Sequence, residues 1–288
     1  MACALCGQRI IARAWLWGAP RAWLCLVLCC LGIVGCAGQN NGRAEVEQAA
    51  RSHGLRQCLF PTASFTLFGL LRAGSGSLLR VYIEGDGRAW LTRTRPSRDP
   101  TPNNPVALRL ALADPSRDTV LYLARPCQFV QGADRRFCER RYWTDARLAE
   151  SVIASLNTAI DRAKKQAGAQ QVALIGYSGG GGAAVLLAAR RSDVVYIATV
   201  AGNVHSAAWT KLHTVSPLIG SLEPFAAASA VRGIPQWHIS GAKDSIMPPE
   251  ISQQFCQAVG AAAHCLTLPA MQHDGAWQEH WLPPAVLP

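Results

Sequence analysis

Ser178 stands in Gly176-Tyr-Ser-Gly-Gly180, directly after the apolar run Val172-Ala-Leu-Ile-Gly176 and ahead of Ala183–Arg191, whose composition suits a helix. The run has the length and character of a buried parallel strand, so the serine falls on a strand–turn–helix junction. Such a turn is strained, and only small neighbours let strand and helix approach closely, which is the physical reason for glycines on both sides. A serine placed there stands above the end of the strand. The amide of Gly179 then points at the oxygen of an attacked carbonyl, where negative charge develops. The chemistry this arrangement suits is nucleophilic attack followed by acyl transfer.

A serine hydroxyl is a poor nucleophile at neutral pH and needs a base within hydrogen-bond reach, itself oriented by a third group. Seven histidines are available, and His273 in Met271-Gln-His-Asp-Gly-Ala-Trp277 lies in a loop that follows the strand-like Cys265-Leu-Thr-Leu-Pro269. His205, in Gly202-Asn-Val-His205, is the rival, because it too follows a strand; His238 lies within a strand and is expected to pack there. For the orienting acid, Asp244 in Ile239-Ser-Gly-Ala-Lys-Asp-Ser-Ile-Met-Pro-Pro249 sits where a strand ends and a helix starts. Asp274 neighbours His273 too directly to bridge to it, and Asp193 precedes its strand and falls at the wrong end of the sheet.

The elements that must carry these residues alternate along the chain. Strands are expected at 65–71, 77–83, 119–124, 172–176, 193–200, 236–240 and 265–268. Helices are expected near 44–54, 107–113, 145–165 with Thr144 as cap, 183–191 and 251–259. That alternation predicts an α/β fold with a mostly parallel central sheet and helices on both faces. Between Arg88 and Pro105 the chain carries Pro96, Pro100, Pro102 and Pro105, which predicts an extended loop over the site face.

With Glu84-Gly-Asp-Gly87, Gly176-Tyr-Ser-Gly-Gly180, Gly241-Ala-Lys-Asp244 and Gln272-His-Asp274 in that order, the chain resembles the α/β-hydrolase superfamily over roughly residues 65–283, and among its members the small bacterial alpha/beta-hydrolase lipoproteins. The resemblance implies that Ser178 attacks a carbonyl, that His273 takes and returns the proton, and that Asp244 holds the imidazolium. It also implies a second oxyanion amide from the loop after the third strand, here Asp86 in preference to Gly85. Glutamate stands where lipases of the family carry histidine, so which amide points inward is less defined. No metal or organic cofactor is implied. The superfamily includes esterases, lipases, peptidases and proteins without activity, so the expected partner is a small-molecule ester or a short peptide. The expectation is a carboxylic-ester hydrolase, with a serine peptidase or amidase and a non-catalytic envelope binding protein as the other readings. Glu84 and Arg125 are candidates to bind a charged substrate terminus, and Trp143, His205 and Trp209 to line the pocket. No long amphipathic lid is evident, which argues against attack on bilayer lipid.

The 288 residues are 50% apolar and 16% charged, which describes a packed globular chain. Residues 1–35 carry a basic start and an apolar run from Ala22 to Gly35, too short to remain as a membrane-spanning helix and in keeping with an export signal. Ile33-Val-Gly-Cys36 resembles the bacterial lipobox, which implies a diacylated and N-acylated Cys36, lipoprotein export machinery, and stable anchoring by several chains. Ala37, in place of aspartate, resembles the outer-membrane sorting class, so the expected location is the cell envelope, at the outer membrane facing the periplasm. Residues 36–60 would be the tether and lead-in, and 61–288 the hydrolase domain. Loss of Arg9, Arg13 and Arg21 with the signal takes the formal charge from +10 to +7 (10 − 3), a balance that favours anionic surfaces. Its arginines are scattered, without interleaved aromatics, so nucleic acid is not an expected partner. Export also makes disulfides the expected state of the close pairs Cys127/Cys138 and Cys256/Cys265. Cys58 is then a free thiol or displaces one partner. No CxxC survives outside the signal, which leaves a zinc site without a motif.

Overall fold

The computed structural model describes residues 41–281; Cys36 and the expected signal segment lie outside the described residues. Eight strands form a single sheet: β1 (Arg56–Pro61), β2 (Thr66–Arg72), β3 (Leu78–Ile83), β4 (Thr119–Leu123), β5 (Gln171–Tyr177), β6 (Val194–Val200), β7 (Gln236–Gly241) and β8 (Ala263–Leu268). Their order is β1-β2-β4-β3-β5-β6-β7-β8. β2 runs antiparallel to both β1 and β4, and every other neighbouring pair is parallel. Helices α1 (Asn41–Ser52), α2 (Val106–Leu112), α3 (Glu150–Ala167), α4 (Gly179–Ala188), α5 (Ser206–Leu212) and α6 (Pro249–Val259) flank it. This is the expected α/β architecture, and residues from Val46 onward form one unit.

Central strands are apolar along their length because both faces are covered. All five residues of β4 and six of the seven in β5 are buried. The edge strand β8 has no fully buried residue. The chain winds from β3 to β4 in one direction, then passes back over β3 and continues from β5 to β8 in the other. The C-terminal ends of β3 and β5 therefore lie side by side at the point where winding reverses, and the loops that leave them part to opposite sides. A crevice opens between such loops in any doubly wound sheet.

Three sequence expectations change here. β1 is an additional strand, whose register with β2 runs Arg56 opposite Leu71 to Pro61 opposite Thr66. Its edge position leaves the sequence with little apolar signal, since only Phe60 is buried. Thr144 does not cap α3: that helix starts at Glu150 after Ala149, and the Thr144 hydroxyl donates instead to the Arg140 carbonyl at 3.0 Å. Helix α4 begins at Gly179 rather than at Ala183. Glycine is a weak helix former, but close approach to β3 and β6 outweighs propensity there. Cβ atoms at Gly180 and Gly182 would collide with the backbone carbonyls of Ile83 and Asn203.

Cys127–Cys138 and Cys256–Cys265 are disulfides, and Cys58 is a half-buried free thiol. The first bond closes the loop after β4, where Cys127 and Phe129 both take positive φ angles of 72° and 57°. The second ties α6 to β8.

Candidate active site

Ser178 sits between β5 and α4 with φ 51° and ψ −121°. This is a costly conformation for a residue with a side chain. It is imposed by the crossing of strand and helix: a Cβ on Gly176 would strike the Gly180 carbonyl, and one on Gly181 would lie 2.8 Å from the Gly202 Cα. The Ser178 amide donates to Val200 O at 3.0 Å, and its carbonyl accepts from both Gly181 and Asn203. The backbone that carries the hydroxyl is therefore fixed on every side.

The Ser178 hydroxyl oxygen lies 3.1 Å from His273 Nε2, and His273 Nδ1 lies 2.8 Å from Asp244 Oδ2. Asp244 leaves the end of β7 and is fully buried. Its other oxygen accepts from the amides of Ile246 and Met247 at 2.9 and 2.8 Å, which fixes the carboxylate before it meets the imidazole. The glycine at 241 lets the two loops close: a Cβ there would overlap the Met271 carbonyl, and Lys243 N donates to that carbonyl at 3.0 Å. Two side chains that sequence reasoning passed over anchor the histidine loop. Tyr177 Oη and Trp277 Nε1 both donate to the His273 carbonyl, at 2.9 and 2.7 Å. Burial, with the Glu84 and Asp244 carboxylates nearby, pushes the Tyr177 phenol well up, so it remains a donor. Asn104 and Arg109 reach the carbonyls of Asp274 and Gly275 from the start of α2.

On the β3 side, Gly85 comes close enough to Ser178 that a Cβ would sit 3.2 Å from the serine Cβ. Its amide donates to Glu84 Oε1 at 2.9 Å. The Asp86 amide, by contrast, has no acceptor among the described residues, as does the Gly179 amide in the first turn of α4. That occupancy favours Asp86 over Gly85 as a free donor. The Asp86 carboxylate lies over the Gly179 Cα, held by Arg147 Nη1 at 2.7 Å and Arg125 Nη1 at 3.4 Å.

A cleft of about 420 Å³ opens over Ser178 and His273. Glu84, Asp86, Trp90, Asn104, Arg147, Tyr177, Trp209 and Met247 are among its lining residues, so the proline-rich loop forms one wall as expected. Trp209 is held by a 2.8 Å bond from its Nε1 to Ile246 O. Three of the pocket candidates stand elsewhere. Arg125 is buried behind Asp86 and also donates to the Arg147 carbonyl. Trp143 is buried with its Nε1 on Ser97 O. His205 stacks on Phe225 and bonds Gln254, facing a separate cavity beside α5 and α6. The strand-end position of His205 suggested the cleft, but α5 starts immediately after it and turns the ring away. His238 is fully buried between Thr199 and Gln236, and desolvation pulls its pKa down to about 3, so it is a neutral packing residue. Arg147, a buried cation in the cleft wall, carries no sequence signal because it precedes α3 in a stretch without motif.

Glu84 is buried, and burial raises its carboxyl pKa from 4.5 to about 7 despite hydrogen bonds from Gly85, Ala107 and Tyr122. The folded state therefore binds this proton more tightly than the unfolded state does. Stability associated with the group is full below about pH 4.5 and is lost as pH rises through about 7. Glu84→Gln should erase that loss, so that from pH 5 to 8 the wild type weakens relative to the variant by up to about 3 kcal/mol. Urea unfolding of the two proteins across that range measures it; a difference that stays constant with pH contradicts the assignment.

No family model matches the sequence, and no curated protein is similar to it. Solved structures are similar in fold. An alpha-beta serine hydrolase homologue from Coxiella burnetii superposes with a TM-score of 0.54 at 15% identity, covering 76% of this chain and 88% of that one. The esterase PF2001 of Pyrococcus furiosus gives 0.53 at 12% identity, covering 79% and 87%. An acylaminoacyl peptidase from Pyrococcus horikoshii gives 0.57 at 13% identity, covering 76% of this chain but only 37% of the peptidase. With the strand order and the flanking helices, these likenesses show that the chain has the α/β-hydrolase fold.

Proposed function

We propose that the protein is a serine hydrolase that cleaves carboxylic esters through Ser178, His273 and Asp244. The observation that carries this reading is the continuous hydrogen-bonded line from the Ser178 hydroxyl through both ring nitrogens of His273 to a buried, doubly anchored Asp244. In it, Ser178 Oγ attacks the ester carbonyl carbon while its proton passes to His273 Nε2. Asp244 stabilises the imidazolium and keeps Nδ1 protonated. The amides of Gly179 and Asp86 receive the oxyanion. Collapse breaks the bond to the alcohol, which leaves with the proton from His273. Water then repeats the sequence on the acyl-enzyme, releasing the acid and restoring Ser178.

Ester chemistry is favoured over peptide chemistry because the two groups expected to hold a charged peptide terminus are already engaged. Glu84 accepts three internal hydrogen bonds, and Arg125 is spent on Asp86 and the Arg147 carbonyl. The likeness to a peptidase keeps the amide arm in the test. Para-nitrophenyl esters should be hydrolysed and the matching para-nitroanilides turned over far more slowly, with ester kcat falling at least about a thousandfold in Ser178→Ala. Folded protein without turnover of either would replace this reading with a binding role on the same fold.

The same proposal places the enzyme at the outer membrane, facing the periplasm, on acyl chains at Cys36. Its support is the sequence Ile33-Val-Gly-Cys36, together with two disulfides, which suit an oxidising compartment. Intact mass of the mature protein should carry the acyl chains and lose them in Cys36→Ala; an unacylated wild-type chain that begins elsewhere refutes the anchor.

A further inference from the structure

Two guanidinium groups meet a single carboxylate in the wall of the cleft. Arg125 and Arg147 both pair with Asp86, and the side chains of the two arginines are 4% and 8% exposed. Two positive charges against one negative leave the trio with one positive charge in surroundings that solvate it poorly. Such a charge is expensive unless a partner supplies the counter-ion. The other acid of the cleft does not supply it, since Glu84 pairs with neither arginine and faces Gly85, Ala107 and Tyr122 instead.

The placement of Arg147 shows where the counter-ion would come from. Its Nε donates to Thr144 O at 2.7 Å and its Nη1 to Asp86, while Nη2 has no acceptor among the described residues. The guanidinium carbon stands 5.6 Å from the ring centre of Trp209, a cation–π contact that holds the plane in one orientation. Arg147, Trp90 and Trp209 line both the cleft over Ser178 and an adjoining cavity of about 570 Å³. Of the charged groups in that second cavity, Asp145 forms no ion pair with Arg147 among the described residues, and Arg93 adds a further positive charge. Exposed Arg88 on the cleft rim forms no ion pair among the described residues.

We propose that the substrate carries a carboxylate, bound by the free edge of Arg147 between the two tryptophans and within reach of the ester attacked by Ser178. The inference rests on the hydrolase reading above and names its substrate class. A planar guanidinium fixed at three points and open at the fourth is suited to a carboxylate more than to an amide of the same shape. Arg125 keeps Asp86 paired while Arg147 engages the ligand, which is why the site needs both arginines.

Matched probes test it. The para-nitrophenyl monoester of terephthalate, against that of terephthalamic acid, places the charge on the acyl side. Para-acetoxybenzoate, against para-acetoxybenzamide, places it on the leaving group. In at least one pair the wild type should prefer the anion by about tenfold or more in kcat/KM, and Arg147→Met should abolish that ratio while Arg147→Lys retains part of it. Binding of benzoate against benzamide, followed by tryptophan fluorescence in Ser178→Ala, reads the same site without turnover and should favour benzoate. Equal ratios in both pairs, with benzoate bound no better than benzamide, overturn the inference and leave ester hydrolysis standing. Selective benzoate binding that depends on Arg147, in a protein that turns over no ester, upholds the anion site and removes the hydrolase reading. Should Arg147→Met fail to fold, the wild-type ratios and benzoate binding decide alone.

Discussion

A serine held at positive φ between a buried strand and a helix made of glycines at its start is the constraint on which the rest of this molecule depends. The conformation costs on the order of 1–3 kcal/mol, and it persists only because its surroundings leave no alternative. β5 is buried over six of its seven residues, and every residue of α4 is buried. Neither element can shift to relax the turn without exposing apolar surface. Each of Gly176, Gly180, Gly181 and Gly182 faces atoms that a methyl group would strike. The strain thus sets the hydroxyl in a fixed place, and the loops after β3, β7 and β8 are shaped to meet it.

Charge in the cleft follows from that placement. An oxyanion next to Ser178 needs donors close by and no free negative charge. Two carboxylates nevertheless lie beside the site, and the structure quiets each in a different way. Glu84 is buried until its pKa is about 7, so it carries a full charge less readily than an exposed glutamate does. Asp86 stays beside two arginines and over the first turn of α4, where positive potential from the helix end also favours it. Asp244 is kept on the far side of His273, bonded to its Nδ1, where in the proposed mechanism its charge would stabilise an imidazolium. Ordering by position lets one small volume hold three acids in three distinct environments.

Much of this was legible in the chain, because the features involved are local in sequence. The glycines around Ser178 mark a turn, and the apolar run before them marks a buried strand. His273 and Asp244 could be chosen because each follows a late strand, and the parallel sheet brings such loops to one edge. Features that depend on packing across the sequence were not readable. The separation of Arg147 from Asp86 by 61 positions hides their pairing, and the sequence offers Arg125 as a possible ligand whereas the fold sets Asp86 beside it. Tyr177 and Trp277 support His273 through its carbonyl, an interaction that leaves no motif. A residue at a strand end such as His205 can face either side, and only the start of α5 fixes which. β1 was missed because an edge strand keeps little apolar pattern.

The central claim is that the strain at Ser178 presents an activated nucleophile, and covalent capture tests it most directly. A fluorophosphonate at neutral pH should add one phosphonyl mass to the intact protein, and peptide mapping should place it on the segment bearing Ser178. Labelling should vanish in Ser178→Ala and slow strongly in His273→Ala, since the hydroxyl reacts only when the imidazole takes its proton. Folded wild-type protein that takes no label, or takes it on another residue, would contradict the account.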